Sequence, residues 1–341
     1  MTSDYKMGVC GPSVGAVTLG GQALLAPLSG VTDVVFRRIA HRLGASLVVS
    51  EMVAADDYVQ GDAEARIRAE GRGIAPHVVQ LAGCEPRWMA EAAKMAEANG
   101  AAIIDINMGC PAKRVTGGYA GSALMRNLDL ATALIKATVQ AVSVPVTVKM
   151  RLGWDERSLN AAELAQRAQD LGARAVSVHG RTRQQFYKGR ADWAGIADVV
   201  RAVHLPVIAN GDVGSTETAR ECLRLSQAAA VMVGRAAVGQ PWLVGQIAAD
   251  LQGRAVRSPS PAAKAEVAVE HYEGLLSLLG RSIATRHARK HLAAYAACAR
   301  EAGYGLVPAD RDRLVTTDDP AVAIGLLQRL YEDAPDRRIA A

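Results

Sequence analysis

From Leu24 to about Gly245, short apolar runs alternate with longer segments of helical period. The runs are LLAPLSG (24–30), LVVSEM (47–52), HVVQLAG (77–83), IIDINMG (103–109), PVTVKMR (145–151), AVSVHGR (175–181), PVIANGD (206–212) and AVMVGR (230–235). Each is continuous rather than strictly alternating in apolarity, the pattern of a parallel strand covered on both faces. Between them lie segments such as PRWMAEAAKMAEANG (86–100) and LNAAELAQRAQDLGA (159–173). In the second, Leu159, Leu164, Ala168 and Leu171 recur at helical spacing, and Gly172 supplies a stop.

Eight such units predict an α/β fold, a (β/α)8 TIM barrel, rather than an open doubly wound sheet. No G-x-G-x-x-G follows the first run, which weakens a dinucleotide-binding reading further. Past Gly245 the pattern changes. RAVRSPSP (254–261) reads as a linker, and three stretches of helical period follow, AKAEVAVEHYEGLLSLLG, SIATRHARKHLAAYAACAREAG and DPAVAIGLLQRLYEDA. The expected organisation is an N-terminal segment over 1–23, a barrel over 24–250, a linker over 251–262 and a small all-α helical bundle over 263–341.

Composition narrows the class. Half the residues are hydrophobic and 21% are charged, as in a folded globular chain, and with aromatics at 4% the cores must be built from Ala, Val, Leu and Ile. No apolar run approaches the roughly 20 residues that span a bilayer. The N-terminus lacks a basic region followed by an apolar one, so the chain is expected in the cytoplasm with no membrane partner. Five cysteines (Cys10, Cys84, Cys110, Cys222, Cys298) lie far apart with no C-x-x-C pair, so neither a disulfide framework nor a metal is expected. A net charge of +5 and a pI near 9.0 favour a polyanionic partner mildly.

In a barrel of this kind chemistry sits at the C-terminal ends of the strands. The residues there are Ser29, Glu51, Gln80, Asn107, Lys149 with Arg151, His179 with Arg181, Asn210 with Asp212, and Gly234 with Arg235. Lys149 falls between Val148 and Met150 in a run that must be buried, so an inward ammonium is expected to need an anionic partner. After runs seven and eight, Gly211 and Gly234 would let the backbone approach a phosphate and Arg235 would add charge, with ordinary turns as the alternative. A phosphate at one end, a lysine inside and a histidine above suit a phosphorylated aromatic cofactor. FMN fits, with Lys149 stabilising negative charge on the reduced ring. Cys110 stands beside Pro111, ahead of Lys113 and Arg114, and Gly117, Gly118 and Gly121 make the following loop pliable. That suits an acid carried over the ring face; a structural buried cysteine is the alternative. Arg281, Arg286, His287, Arg289, Lys290 and His291 cluster in one helical region, and Arg181, Arg183, Lys188 and Arg190 accompany Phe186 and Tyr187 in one loop. Such groups bind phosphates and stack on bases, or are solvated faces.

In this order the residues resemble the tRNA-dihydrouridine synthases, most closely the bacterial B-type branch. The resemblance covers nearly the whole chain and rests on LAPLSGVTD (25–33), VSEM (49–52), DINMGCPAKRV (105–115), AGSAL (120–124), VTVKMRLGW (146–154), HGRTR (179–183), VIANGD (207–212), GRAAVGQPW (234–242) and ARKHL (288–292). It implies FMN in a TIM barrel, a C-terminal helical domain, and NADPH-dependent reduction of particular uridines in tRNA. Pro27, Leu28 and Ser29 would then line the flavin, and Gln80 and Lys149 would hold its polar edge. Asn210, Gly211, Asp212, Gly234 and Arg235 would hold the phosphate end, with His179 beside the ring. Asn107 and Arg181 would face the uracil, and Cys110 would give the proton to C5; independently, the basic residues Arg183, Arg286, Arg289 and Lys290 are expected to contact tRNA. Leu28-Ser29 departs from the Met-Ala often found in the family, and Ala294 stands where an aromatic is frequent. The competing readings are an FMN enzyme of free pyrimidines, of the dihydroorotate dehydrogenase kind, and a non-catalytic RNA-binding protein. Oligomeric state is open, with a monomer the expectation.

Overall fold

The computed structural model describes residues 11–332; Cys10, the ends 1–10 and 333–341, and the side chain of Arg114 lie outside the described residues. A small antiparallel hairpin, β1 (Ser13–Val14) and β2 (Val17–Thr18), leads in. Eight parallel strands follow: β3 (Ala23–Leu25), β4 (Leu47–Ala54), β5 (Val78–Ala82), β6 (Ile103–Met108), β7 (Val146–Arg151), β8 (Ala175–His179), β9 (Val207–Asn210) and β10 (Ala230–Val233). They pair in sequence order, and β10 closes on β3. Every apolar run of the sequence is a strand, and the barrel is a TIM barrel.

The strands carry two apolar clusters, one on each face. Ile104, Ile106, Val148, Val176, Val178 and Ala209 pack outward under the helices. Leu24, Leu47, Val49, Val78, Ile103, Ala175, Ile208 and Ala230 fill the interior, where Val14 and Leu19 of the lead-in join them. The inward file turns polar toward the C-terminal rim: Ile103 is followed by Asp105 and Asn107, Ala175 by Ser177 and His179, and Ile208 by Asn210. Period-two alternation begins only in that upper half, which is why the runs look continuous.

Pairing of β4 with β5 slips between Val49 and Met52, a bulge that leaves Met52 facing the central space in place of Glu51. Ser50 sits in the bulge, donating to the Glu51 carbonyl at 2.7 Å and accepting from the Gln80 N–H at 2.9 Å.

The predicted 159–173 segment is a helix over Ala161–Asp170, and Gly172 beyond it has φ 97°, a left-handed value that favours glycine. Helix Trp242–Leu251 ends the barrel portion. After an irregular stretch come helices Pro261–Leu279, Arg281–Glu301, Pro308–Thr316 and Pro320–Gln328, three of them opened by a proline that has no N–H to leave unpaired. Their bundle meets the barrel helix Val34–Arg42, and Gly274 makes the close approach: a Cβ there would lie 2.4 Å from a Val35 methyl. No described helix is long and apolar enough to cross a membrane.

Candidate functional site

A cavity of about 790 Å³ opens at the C-terminal ends of the strands, within the usual range for small-molecule sites. Pro27, Leu28 and Ser29 wall it on one side, with Met52, Gln80, Asn107 and Cys110 beside them. Lys149, Arg151 and His179 line its floor, and Asn210, Gly211, Asp212, Gly234 and Arg235 close the far end. Arg181 and Arg183 are not on its walls.

One hydrogen-bond chain runs from the barrel interior to Cys110. Thr147 Oγ1 and Gln80 Nε2 donate to the two oxygens of Asp105 at 2.5 and 2.6 Å, and Asn107 Nδ2 donates to Gln80 Oε1 at 2.7 Å. Asn107 Oδ1 then accepts from the backbone N–H of Cys110 at 2.9 Å and of Gly109 at 3.2 Å. Burial pushes the Asp105 carboxyl up, opposed by these bonds and by Lys149. On the far side of the loop, Ser122 donates its N–H and hydroxyl to the Cys110 carbonyl at 3.0 and 2.8 Å. The loop around Cys110 is thus pinned through its backbone, and its thiol makes no hydrogen bond among the described residues. Arg151, buried to 2% exposure, ties the same loop to the one after β8, donating to the carbonyls of Gly109, Thr182 and Phe186 at 2.8, 2.9 and 2.9 Å.

Lys149 lies inside, but the direct anionic contact expected of it is absent among the described residues. Its Nζ donates to Asn210 Oδ1 at 3.0 Å, and Asn210 is oriented in turn by donating to the Met232 carbonyl at 2.8 Å. Burial and the neighbouring Arg151 push the ammonium down to about 8, while Asp105 acts the other way. His179 is held well below its usual range by burial and then by Lys149 and three arginines, so the ring is neutral, and its Nδ1 has no partner among the described residues.

At the far end, Gly211 has φ 116°, and a Cβ there would fall 2.8 Å from Ala191 Cβ and 3.3 Å from His179, so only glycine fits. The Arg181 side chain is turned away from the cavity and saturated. It donates to Asp212 Oδ1 and Oδ2 at 3.0 and 2.7 Å and to the carbonyls of Lys188 and Gly189. Arg181 therefore does not line the cavity; it neutralises Asp212, which does. Burial would raise the Asp212 carboxyl, but Arg181 and the Ala191 N–H outweigh it and hold it low. Arg235 stays half free, 3.5 Å from Asp212 and over the ring of Tyr187 at 4.8 Å. Arg183 stacks on Trp154 at 5.0 Å.

The structure separates the three basic residues of the C-terminal bundle. Arg286 is exposed, Arg289 is paired with Asp318 at 3.1 Å, and Lys290 reaches over the barrel rim, its Nζ 3.6 Å from where a Cβ of Gly30 would be. Asp105, Thr147 and Ser122 carry no candidate role in the sequence reading, and Arg151 appears there only as a strand-end residue. The signal for Asp105 was there, two residues before Asn107 and hence on the same strand face; nothing local marks Ser122.

The dihydrouridine synthase family model matches residues 24–305. A probable tRNA-dihydrouridine synthase of Rhizobium leguminosarum is 50% identical over 95% of this chain and 100% of its own length. The tRNA-dihydrouridine synthase B of Xanthomonas axonopodis is 46% identical over 83% of this chain and 86% of its own. Among solved structures, the 6-hydroxypseudooxynicotine amine oxidase of Pseudomonas geniculata superposes with a TM-score of 0.54 at 16% identity, over 78% of this chain. Histamine dehydrogenase from Rhizobium does so with a TM-score of 0.53 at 13% identity. This chain spans about half the length of those two proteins, which share its fold. The profile match and the relatives of full length agree, and the chain belongs to the dihydrouridine synthase family.

Proposed function

We propose that this chain reduces the C5–C6 double bond of uridines in tRNA, with FMN as its cofactor and NADPH as reductant. The observation that carries the reading is Lys149, a buried cation whose only hydrogen-bond partner among the described residues is a neutral amide, set in a cavity that Cys110 overlooks. The residues present fit the cofactor. The unpartnered His179 Nδ1, the glycine-only turn at Gly211 and the neutralised Asp212 leave room and donors for a phosphorylated ring system. Lys149 and Gln80 would hold the ring's polar edge, Pro27, Leu28 and Ser29 its face, and Gly234 and Arg235 the phosphate.

FMN, held by Gln80, Lys149, Gly234 and Arg235, would supply hydride chemistry linking NADPH to C6 of the base. Cys110 gives its thiol proton to C5, and the thiolate is reprotonated from water, so the sum is one NADPH and one proton consumed for each bond reduced. Asn107 fixes where that thiol stands, through the Cys110 and Gly109 N–H groups, and its side chain borders the space for the base. A base in a folded tRNA must be extruded to reach the rim, which costs a few kcal/mol that phosphate contacts offset.

The test is direct. Flavin-loaded protein with NADPH should convert uridine to dihydrouridine in an unmodified tRNA, detected by mass spectrometry of the digested RNA, and should leave free uracil and orotate unreduced. Equal activity on the free bases would replace this reading with that of a free-pyrimidine enzyme, and a protein that binds tRNA but reduces nothing would remove catalysis from it.

The basic helix makes a second, quantitative expectation. Alanine at Arg286, Arg289 and Lys290 together should weaken tRNA binding and flatten its logarithmic salt dependence by about 2 rather than 3, because Asp318 already engages Arg289. Binding measured across a salt series checks this; an unchanged slope takes the helix out of the RNA contact.

A further inference from the structure

Away from the cavity, where the bundle meets the barrel, three histidines converge on one carboxylate. Asp33 caps helix Val34–Arg42, its Oδ1 accepting from the N–H groups of Val35 and Phe36 at 2.9 and 3.0 Å. Its other oxygen faces the bundle and accepts from His271 Nε2 at 3.2 Å, while His271 Nδ1 meets the Tyr295 hydroxyl at 3.2 Å. His291 is buried to 1% exposure, yet among the described residues neither of its ring nitrogens has a hydrogen-bond partner, and the nearest, Nε2, is 3.8 Å from Asp33 Oδ2. One helical turn earlier, His287 also buries Nε2 without a partner. A buried polar atom without a partner calls for an explanation, and here such atoms share one small space. Ligand atoms of Asp33, His287 and His291 all lie within 4.8 Å of one another.

We propose that Asp33, His287 and His291 form a binding site for a divalent transition metal of the zinc type, which staples the helical bundle to the barrel. The donor set is right for it. Two imidazoles four residues apart on one helix face, with a carboxylate opposite, are nitrogen and oxygen ligands that zinc and its first-row neighbours favour over magnesium or calcium. Zinc holds such ligands at about 2.0–2.2 Å, so the three groups must draw in by roughly 1–1.5 Å, a movement within side-chain adjustment. A second layer stands behind them. Tyr295 orients His271, and His271 orients Asp33, the arrangement that commonly fixes a metal-bound carboxylate. Asp33 belongs to the loop that also carries Ser29, and Lys290, next to His291, reaches the rim at Gly30. A metal here would therefore fix the bundle's register on the barrel beside the cavity mouth. The cysteine-based expectation of no metal could not reach this set, because its ligands come from opposite ends of the chain and contain no thiol.

Chelator-treated full-length protein should take up one zinc ion per chain in calorimetric titration, and its unfolding temperature should rise with added zinc. His287→Gln removes a half-exposed ligand without opening the core and should weaken zinc binding at least about tenfold while leaving far-ultraviolet circular dichroism unchanged. Asp33→Asn should abolish the thermal shift. Failure of the parent protein to bind zinc, or equal binding by His287→Gln, overturns the proposal and leaves the space to a buried water.

Discussion

Replacing Cys110 by alanine is expected to lower turnover on tRNA by about 10²–10⁴-fold while the protein keeps its flavin and the rate at which NADPH reduces it. The separation follows from how the loop is held. Asn107 grips the Cys110 N–H and Ser122 grips its carbonyl, so the backbone stays in place when the side chain is shortened. None of the bonds that orient Lys149, Asn210 or Gln80 uses the thiol. The missing function is then the proton alone. Single-turnover reoxidation of the reduced enzyme by tRNA, followed through flavin absorbance, should slow to the same extent as steady-state turnover. Cys110→Ser should recover little, because a hydroxyl is a far weaker acid than a thiol. Normal turnover by the alanine variant would assign the proton to another donor.

How far the sequence led depends on whether a property is local. Strand positions were legible because a buried parallel strand must be apolar on both faces, and each of the eight runs is short and bounded by turn residues. Lys149 and His179 stand out because each is polar within an apolar run at the end where barrels keep their chemistry, and Cys110 because it directly follows such a run; all three line the cavity. What a side chain does with its charge was not. Arg181 read as a base contact, yet it is spent on Asp212, a partner 31 residues along that only closure of the barrel brings near. Lys149 read as one half of an ion pair, yet it meets Asn210. The bulge that exchanges Glu51 for Met52 at the cavity wall has no signature in VSEM, since it depends on the register with β5. His287 and His291 read as members of a basic helical cluster until the bundle folds back on Asp33.

Lys149→Met should slow reduction of the flavin by NADPH about 10²-fold, weaken FMN binding, and remove two pH dependences of opposite sign that the parent's lysine creates, one without cofactor and one on binding it. Methionine matches the stem in volume and leaves the barrel packed, so the loss is that of the charge. In the cofactor-free chain the ammonium titrates at about 8, because burial and Arg151 oppose its charge, against an ordinary value of 10.5. Between those two values the unfolded chain binds more protons than the folded one, so the stability of the cofactor-free protein rises with pH, by up to about 1.4 kcal/mol per unit, as the buried charge is released. Cofactor binding runs the other way. If the anion-bearing ring edge is held by the charged form, the apparent dissociation constant should rise about tenfold per unit above pH 8 until the titration of Lys149 in the complex is reached. Lys149→Met should flatten both dependences at once. A pH limb that vanishes in Lys149→Met belongs to the lysine. A limb that survives Lys149→Met would show that the negative edge of the cofactor is held elsewhere.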